Sequence, residues 1–461
     1  MPRRLHTGKA VTRALLYFIL LLAGWRLLCG VALGQWSPDA EKCAKASGSD
    51  ETIAACTRAI MSGQLSSTHL AITLYNRGTA WGNKGDYDRA IADHNEAISL
   101  KPQYALAYNN RGNAWNHKGD YDRAIADYNE AIRLNPQLAS AYTNRGSAWN
   151  SKGDYNRAIA DHNEAIRLNP LDAPAYNNRG SAWNSKSDYD GAIADFSEAI
   201  RLSPQYALAY YNRGTAWGKK GDYDRAIADF NEAIRLSPQY APAYNNRGNA
   251  WSSKGNYDRA IADFSEAIRL YPQDALAYNN RGLALRLKGD ADRAIADHNE
   301  AIRLNPNYAW AYVNRGVTRF AQGQFESAGA DFSEALRLNP NDASFVIWRY
   351  LAQSRADHRT AAASELATNA AKVDKATWPA PIIDLLAGIT DAAGVLKAVT
   401  NSDQKEQREQ MCVAAFFVGE WHLLQGRRSE ARASLERAER DCPKNFLEYF
   451  SASAELKRLS R

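Results

Sequence analysis

The chain has 461 residues, 45% hydrophobic and 23% charged, with a formal net charge of +6, a length that suits two or three ordinary domains of a soluble protein. Five basic residues, Arg3, Arg4, Lys9, Arg13 and Arg26, lie in the first 34 positions, which hold no acid, so the remainder is close to neutral. A near-neutral body gives no electrostatic reason to expect a nucleic-acid partner.

Residues 1–34 read as an export signal. A basic stretch precedes the apolar run from Ala14 to Trp25, and Ala32 to Gly34 supply the small residues that a signal peptidase needs. Arg26 interrupts the run, so an uncleaved membrane anchor is the alternative, and contact with a membrane is expected only through this segment. The run is short for a spanning helix. Cys29 follows Leu28, where lipid attachment needs a small residue, so lipidation is disfavoured. The other cysteines form two local pairs, Cys43 with Cys56 and Cys412 with Cys442. Even numbers in an exported chain favour two disulfides, with four buried thiols as the alternative. Metal binding is least expected, because no CxxC or nearby histidine pair accompanies them.

Residues 35–70 read as a divergent helical hairpin that caps a repetitive array beginning at residue 71. From 71 to 340 the chain repeats itself with a period of 34 residues, marked by arginines at Arg77, Arg111, Arg145, Arg179, Arg213, Arg247, Arg281 and Arg315. Prolines recur in register from Pro102 to Pro340. This period belongs to helix–turn–helix arrays. In the second repeat, helix one is predicted from about 105 to 118 and helix two from about 122 to 134. Gly119 suits the turn, and Pro136 stops the second helix.

The pattern Tyr108-x-x-Arg111-Gly112-x-x-Trp115, then Ala124-x-x-x-Tyr128 and Pro136, resembles the tetratricopeptide repeat family. The resemblance implies an all-α fold: a right-handed superhelical solenoid of eight stacked hairpins, closed by divergent capping helices at both ends. The family's usual leucine before the glycine is arginine here. In the seventh and eighth repeats Leu285 and Arg319 replace the tryptophan.

That arginine sits at helical spacing within a stripe that should be buried. An aspartate recurs on the buried stripe of the second helix, at Asp93, Asp127, Asp161, Asp195, Asp229, Asp263, Asp297 and Asp331. Two opposite charges, each misplaced in an apolar layer, are expected to pair in a ladder, within a repeat or with the preceding one. The planar guanidinium holds a carboxylate with two parallel bonds. Glu130 of "NEAI" is the rival partner, and stripe geometry favours the aspartate.

Asn109, Asn113 and Asn116 are predicted on the opposite face of helix one, with Asn110 beside them. The asparagine before each arginine recurs as Asn76, Asn110, Asn144, Asn178, Asn212, Asn246, Asn280 and Asn314. A carboxamide both donates and accepts, so it can grip a peptide backbone without reading its sequence. Some members of the family hold extended peptides on such a ladder, and the resemblance implies the same here, with Asn113 and Asn249 on the same concave face. The alternative is that these amides bridge neighbouring repeats. Tyr75, Tyr211 and Trp310 are candidate aromatic anchors, though such residues more often pack. The paired Lys/Arg clamp for a C-terminal carboxylate is not evident. His94, His162 and His298 stand where Tyr128 and Phe196 stand, which speaks for packing over metal binding. No hydrolase, metalloprotease or phosphate-loop motif appears, so neither enzyme chemistry nor a cofactor is expected.

The cap pairing derives from the repeat: Cys43 and Cys56 fall where Trp115 and Tyr128 fall, facing each other across a hairpin. After Pro340 the strict period ends, and residues 341–410 read as irregular helices broken at Trp378-Pro379. Residues 412–443 then read as one more hairpin, stapled by Cys412 and Cys442, and 446–459 as a last capping helix. Residues 341–461 thus form a C-terminal helical region. Its segments 378–388, 416–426 and 445–456 resemble NlpI-type proteins of the bacterial envelope. That resemblance implies a periplasmic adaptor, or one anchored in the inner membrane facing the periplasm, which scaffolds peptidoglycan-modifying enzymes or a protease. A periplasmic peptide-holding chaperone is the second reading. A protein or peptide is the expected partner in either case.

Overall fold

The computed structural model describes residues 37–400 and 403–460. The export-signal segment and Cys29 lie outside the described residues. Among the described residues there are 25 α-helices and no strand, and none of these helices is long and apolar enough to cross a membrane. The chain divides after Pro204 into two compact units.

In the N-terminal unit a short hairpin, α1 (Pro38–Lys45) and α2 (Ser49–Met61), comes first. Four regular hairpins succeed it: α3 (Ser67–Asn83) with α4 (Tyr87–Leu100), α5 (Ala105–His117) with α6 (Tyr121–Leu134), α7 (Ala139–Ser151) with α8 (Tyr155–Leu168), and α9 (Ala173–Ser185) with α10 (Tyr189–Leu202). The C-terminal unit holds four more: α11 (Ala207–Lys219) with α12 (Tyr223–Leu236), α13 (Ala241–Ser253) with α14 (Tyr257–Leu270), α15 (Ala275–Lys288) with α16 (Ala291–Leu304), and α17 (Ala309–Ala321) with α18 (Phe325–Leu338). The first helix of each pair is its A helix and the second its B helix.

The local causes repeat. Asp120 caps α6 by accepting the Arg123 backbone N–H at 3.0 Å, which satisfies one of the orphan donors at a helix start. Gly119, with φ of 78°, reverses the chain between A and B helices. Alanines 107, 114, 124 and 131 are at most 3% exposed, so the paired backbones approach closely. Gly112 goes further, since an added Cβ there would sit 2.7 Å from Cε1 of Tyr128. Phe196, Phe230, Phe264, Phe332, His94, His162 and His298 lie over their own glycines in the same way. The histidines therefore serve as flat ring fillers in these hairpins.

Every recurrent arginine holds the aspartate 16 residues on, in its own repeat, through two parallel bonds. Nη2 meets Oδ1 at 2.5 to 2.8 Å in all eight. The hydrogen bonds that Arg111 donates to Asp127, and then the carboxylate's charge, hold the guanidinium above the ordinary arginine range against the cost of burial. The third nitrogen reaches the preceding repeat: Arg111 Nη1 donates to Asn95 Oδ1 at 2.7 Å, Arg145 to Asn129 at 2.6 Å and Arg179 to Asn163 at 2.7 Å. In the C-terminal unit Arg247 reaches Asn231 and Arg315 reaches Asn299, both at 2.6 Å. Each of these guanidiniums thus joins an A helix to its own B helix and to the B helix before it. Glu130 is occupied elsewhere, by Arg133 at 2.6 Å on the same helix.

The 34-residue register runs on past Pro340. A ninth hairpin, α19 (Ala343–Arg355) with α20 (Arg359–Ala370), places Arg349 against Glu365 at 3.2 Å, again 16 residues apart. Sequence reading misses it because Glu365 stands for the aspartate, Trp348 for the asparagine, and Asp357 holds the turn's positive φ of 64° in place of glycine. Two short helices, α21 (Ala380–Leu386) and α22 (Ala392–Ala398), lead to the hairpin of α23 (Gln404–Leu424) and α24 (Arg428–Asp441) and to α25 (Leu447–Leu459). Trp348, 1% exposed, centres an aromatic core with Phe332, Phe416 and Phe417 at ring separations of 5.4 to 5.7 Å. Disulfides join Cys43 to Cys56 across α1 and α2, and Cys412 to Cys442 across α23 and α24.

These contacts can be tested through stability. Asp161→Ala strands the Arg145 guanidinium, whose side chain is 20% exposed, and should cost about 3 kcal/mol. The pair Arg145→Leu with Asp161→Leu should lie nearer the parent, because an apolar pair strands no charge; urea unfolding measures both. Opening the Cys43–Cys56 bridge, which spans 13 residues, should cost about 3 kcal/mol. Hydrogen exchange should report it first as lost protection of α1 and α2.

Candidate functional site

A recess of about 400 Å³ opens in the N-terminal unit across the A helices α3, α5 and α7, with α4 and Tyr128 of α6 behind them. Its wall is polar and carries no Asp, Glu, Lys or Arg. Carboxamides from Asn83, Asn110, Asn113, Asn116 and Asn144 line it, and His117 stacks on Tyr87 with ring centroids 4.9 Å apart. His94 lies on the same wall, 1% exposed, and its Nδ1 has no partner. Burial, aided by the Arg111 charge, pushes this imidazole down to about 4, so it is neutral at pH 7. The arrangement offers hydrogen-bond donors and acceptors without net charge, which suits a neutral polar chain such as a peptide backbone.

The asparagines divide into sets that a single-helix wheel does not separate. Asn109 is 5% exposed rather than facing outward. Its Nδ2 donates to Asn110 Oδ1 at 3.1 Å, and its Oδ1 accepts from Asn144 Nδ2 at 3.1 Å. Asn110 donates onward to Tyr75 Oη at 3.2 Å and Thr79 Oγ1 at 3.0 Å, and Asn178 to Ser147 Oγ at 3.3 Å. The C-terminal unit repeats the scheme: Asn246 donates to Tyr211 Oη at 3.1 Å, Asn280 to Asn245 at 3.2 Å and Asn314 to Asn279 at 3.0 Å. The asparagine before the arginine is thus an inter-repeat strap at Asn110, Asn144, Asn178, Asn246, Asn280 and Asn314. Asn76 is half-buried in the first A helix, and Asn212 sits at the same register in the fifth. Asn113 accepts the Tyr128 hydroxyl at 2.8 Å, and Asn249 is exposed on α13. Tyr75 and Tyr211 pack as well as bond, against Tyr104 and Tyr240 at 5.0 Å. Trp310 stays 47% exposed.

Within the C-terminal unit the chain covers this register with its own last helix. Arg286 and Phe320 hold the A-helix position that Asn116 holds in the second repeat. Arg286 is 1% exposed, with Phe450 of α25 at 5.3 Å from its guanidinium. Arg458 of α25 donates to the carbonyls of Phe320 at 2.7 Å and Ala321 at 2.5 Å. The buried acids Glu420 and Glu455 both accept from Arg355, at 2.8 and 3.1 Å. Among the described residues no three His, Cys, Asp or Glu side chains come together as a metal-binding group.

Family models described as tetratricopeptide repeat match residues 83–115, 105–138 and 309–342, and four overlapping spans from 151 to 309. Among solved structures, that of MamA is similar at 30% identity over 35% of this chain and 95% of its own, with a TM-score of 0.33. YrrB, described as a TPR protein with an unusual peptide-binding site, is 24% identical over 40% of this chain and 95% of its own, with a TM-score of 0.34. A tetratricopeptide repeat protein from Parabacteroides merdae is 22% identical over 54% of this chain and 98% of its own, with a TM-score of 0.44. No curated protein matches the chain.

The ring-filling histidines make stability depend on pH. Burial pushes His94 and His162 down to about 4 and His298 to about 3, below the value of an unfolded chain. The unfolded state therefore binds more protons as pH falls through about 6.5, and stability falls with it. Each histidine should remove about 1 kcal/mol between pH 7.5 and 5.5. A variant with all three changed to Phe, the residue of four sister repeats, should lose most of that slope in urea unfolding; an unchanged slope would rule the assignment out.

Proposed function

The chain belongs to the tetratricopeptide repeat family, and on that premise we propose that it is an exported adaptor that binds a protein or an extended peptide along the A-helix groove of its N-terminal unit. The observation that carries the reading is the open, uncharged recess walled by carboxamides at α3, α5 and α7. The equivalent register in the seventh and eighth repeats is covered by α25, so the early repeats offer the accessible surface. Two disulfides within the described chain support an oxidising compartment. With the basic–apolar N-terminal segment, they favour export to a bacterial periplasm, with the segment either removed or kept as an inner-membrane anchor. The NlpI-like segments near the C-terminus favour recruitment of peptidoglycan-modifying or proteolytic enzymes of the envelope. A second reading, a peptide-holding chaperone, is favoured by the same lack of charge in the recess, since such a wall selects backbone over side chain.

A photoreactive amino acid at Asn83, exposed on the recess wall, should crosslink unstructured peptides and the physiological partner. The same group at Arg133, on the outside of α6, should not. Equal crosslinking from both places would remove the groove as the binding surface. Capture of one folded hydrolase in fixed stoichiometry supports the adaptor, and capture of many unfolded chains supports the chaperone.

A further inference from the structure

The straps leave one register of carboxamides unused. Asn116, Asn150 and Asn184 occupy the same position in three consecutive A helices, α5, α7 and α9. All three are half-buried, and the side-chain oxygen of each is shut away from solvent with no hydrogen-bond partner. Leaving such a group unsatisfied costs about 1–3 kcal/mol, so close packing alone does not account for three in register. Asn116 also walls the recess on which the buried, unpartnered Nδ1 of His94 lies. The enclosed oxygens do not meet a ligand as they stand; a half turn of the terminal amide, which exchanges oxygen and nitrogen, lets each carboxamide present an acceptor in place of a donor.

The spacing of these amides selects a backbone conformation. Consecutive A helices touch through side chains, as in the 3.1 Å bond from Asn144 to Asn109, and packed helices stand about 8–10 Å apart. An extended chain advances about 3.3 Å per residue, so one repeat corresponds to three residues. In a β-strand a step of three turns the backbone groups to the opposite side, because the pleat alternates with period two. A polyproline II helix has three residues per turn at about 3.1 Å each, so its carbonyls return to the same face after about 9 Å. Strand and repeat are out of step, whereas polyproline II and repeat are in step.

We propose that Asn116, Asn150 and Asn184 hold the backbone of a peptide in the polyproline II conformation, one carboxamide contact for every third residue. The ligand class is an uncharged, proline-rich segment of a partner protein. This rests on the peptide-binding reading above and refines it.

Three fluorescent peptides of equal length test the proposal by anisotropy: a proline- and alanine-rich peptide, a Thr/Val-rich peptide and a flexible Gly/Ser peptide. The proline-rich peptide should bind at least tenfold tighter than the other two. Asn116→Ser, Asn150→Ser and Asn184→Ser together should abolish that preference with an unchanged melt, because Ser252 occupies this register in the sixth repeat. Single Asn150→Ser, with a severalfold loss, serves as the check should the triple variant melt early. Equal binding of all three peptides, or undiminished binding by the variants, overturns the polyproline register and leaves the peptide groove standing. Absence of binding by every peptide overturns both.

Discussion

A guanidinium enclosed by three helices sets the terms for the rest of this protein. The surfaces between its helices are made largely of alanine and glycine, small side chains that permit close approach and give few features to lock one sliding position against another. The recurrent arginine supplies the missing feature. Its two-pronged bond to the aspartate 16 residues on fixes the A helix against its own B helix. Its third nitrogen fixes the preceding B helix as well. A buried ion pair gains little over an apolar pair of equal volume, because both charges lose their water. Its benefit lies in geometry: only one register satisfies all of these polar atoms at once.

The same register that holds the hairpins together decides which polar groups remain for ligands. Asn110 and its equivalents are consumed as straps between A helices, and Asn113 is consumed by the Tyr128 hydroxyl. The amides one turn further along α5, α7 and α9 are left unbonded at their oxygens. In the seventh and eighth repeats that position carries Arg286 and Phe320 and lies under α25. One scaffold position therefore holds half-buried carboxamides in the second to fourth repeats and an internal packing surface in the seventh and eighth, with the side chain as the variable.

How much of this could be read from the sequence depends on the range of the interaction. The period, the helix limits near 105–118 and 122–134, and the pairing of the misplaced arginine and aspartate all derive from local spacing, whereas the choice of the aspartate in the same repeat is seen only in the structure. The fate of the asparagines does not, because a helical wheel describes one helix and the straps run between two. Asn109 looks exposed on α5 alone and is buried once α7 lies beside it. The ninth hairpin escapes because three marker residues change together at Trp348, Asp357 and Glu365, although Arg349 keeps its place. The recess itself is invisible in the sequence, since its wall is assembled from side chains of several helices in three successive repeats.

The enclosed guanidinium can be observed directly. In nitrogen-resolved NMR of the full chain at neutral pH, the Nε–H protons of Arg77, Arg111, Arg145, Arg179, Arg213, Arg247, Arg281 and Arg315 should exchange with water far more slowly than those of exposed arginines such as Arg157 and Arg225. Asp127→Asn should release Arg111 from that protected set. Eight fast-exchanging Nε–H groups, indistinguishable from the exposed ones, would contradict the account.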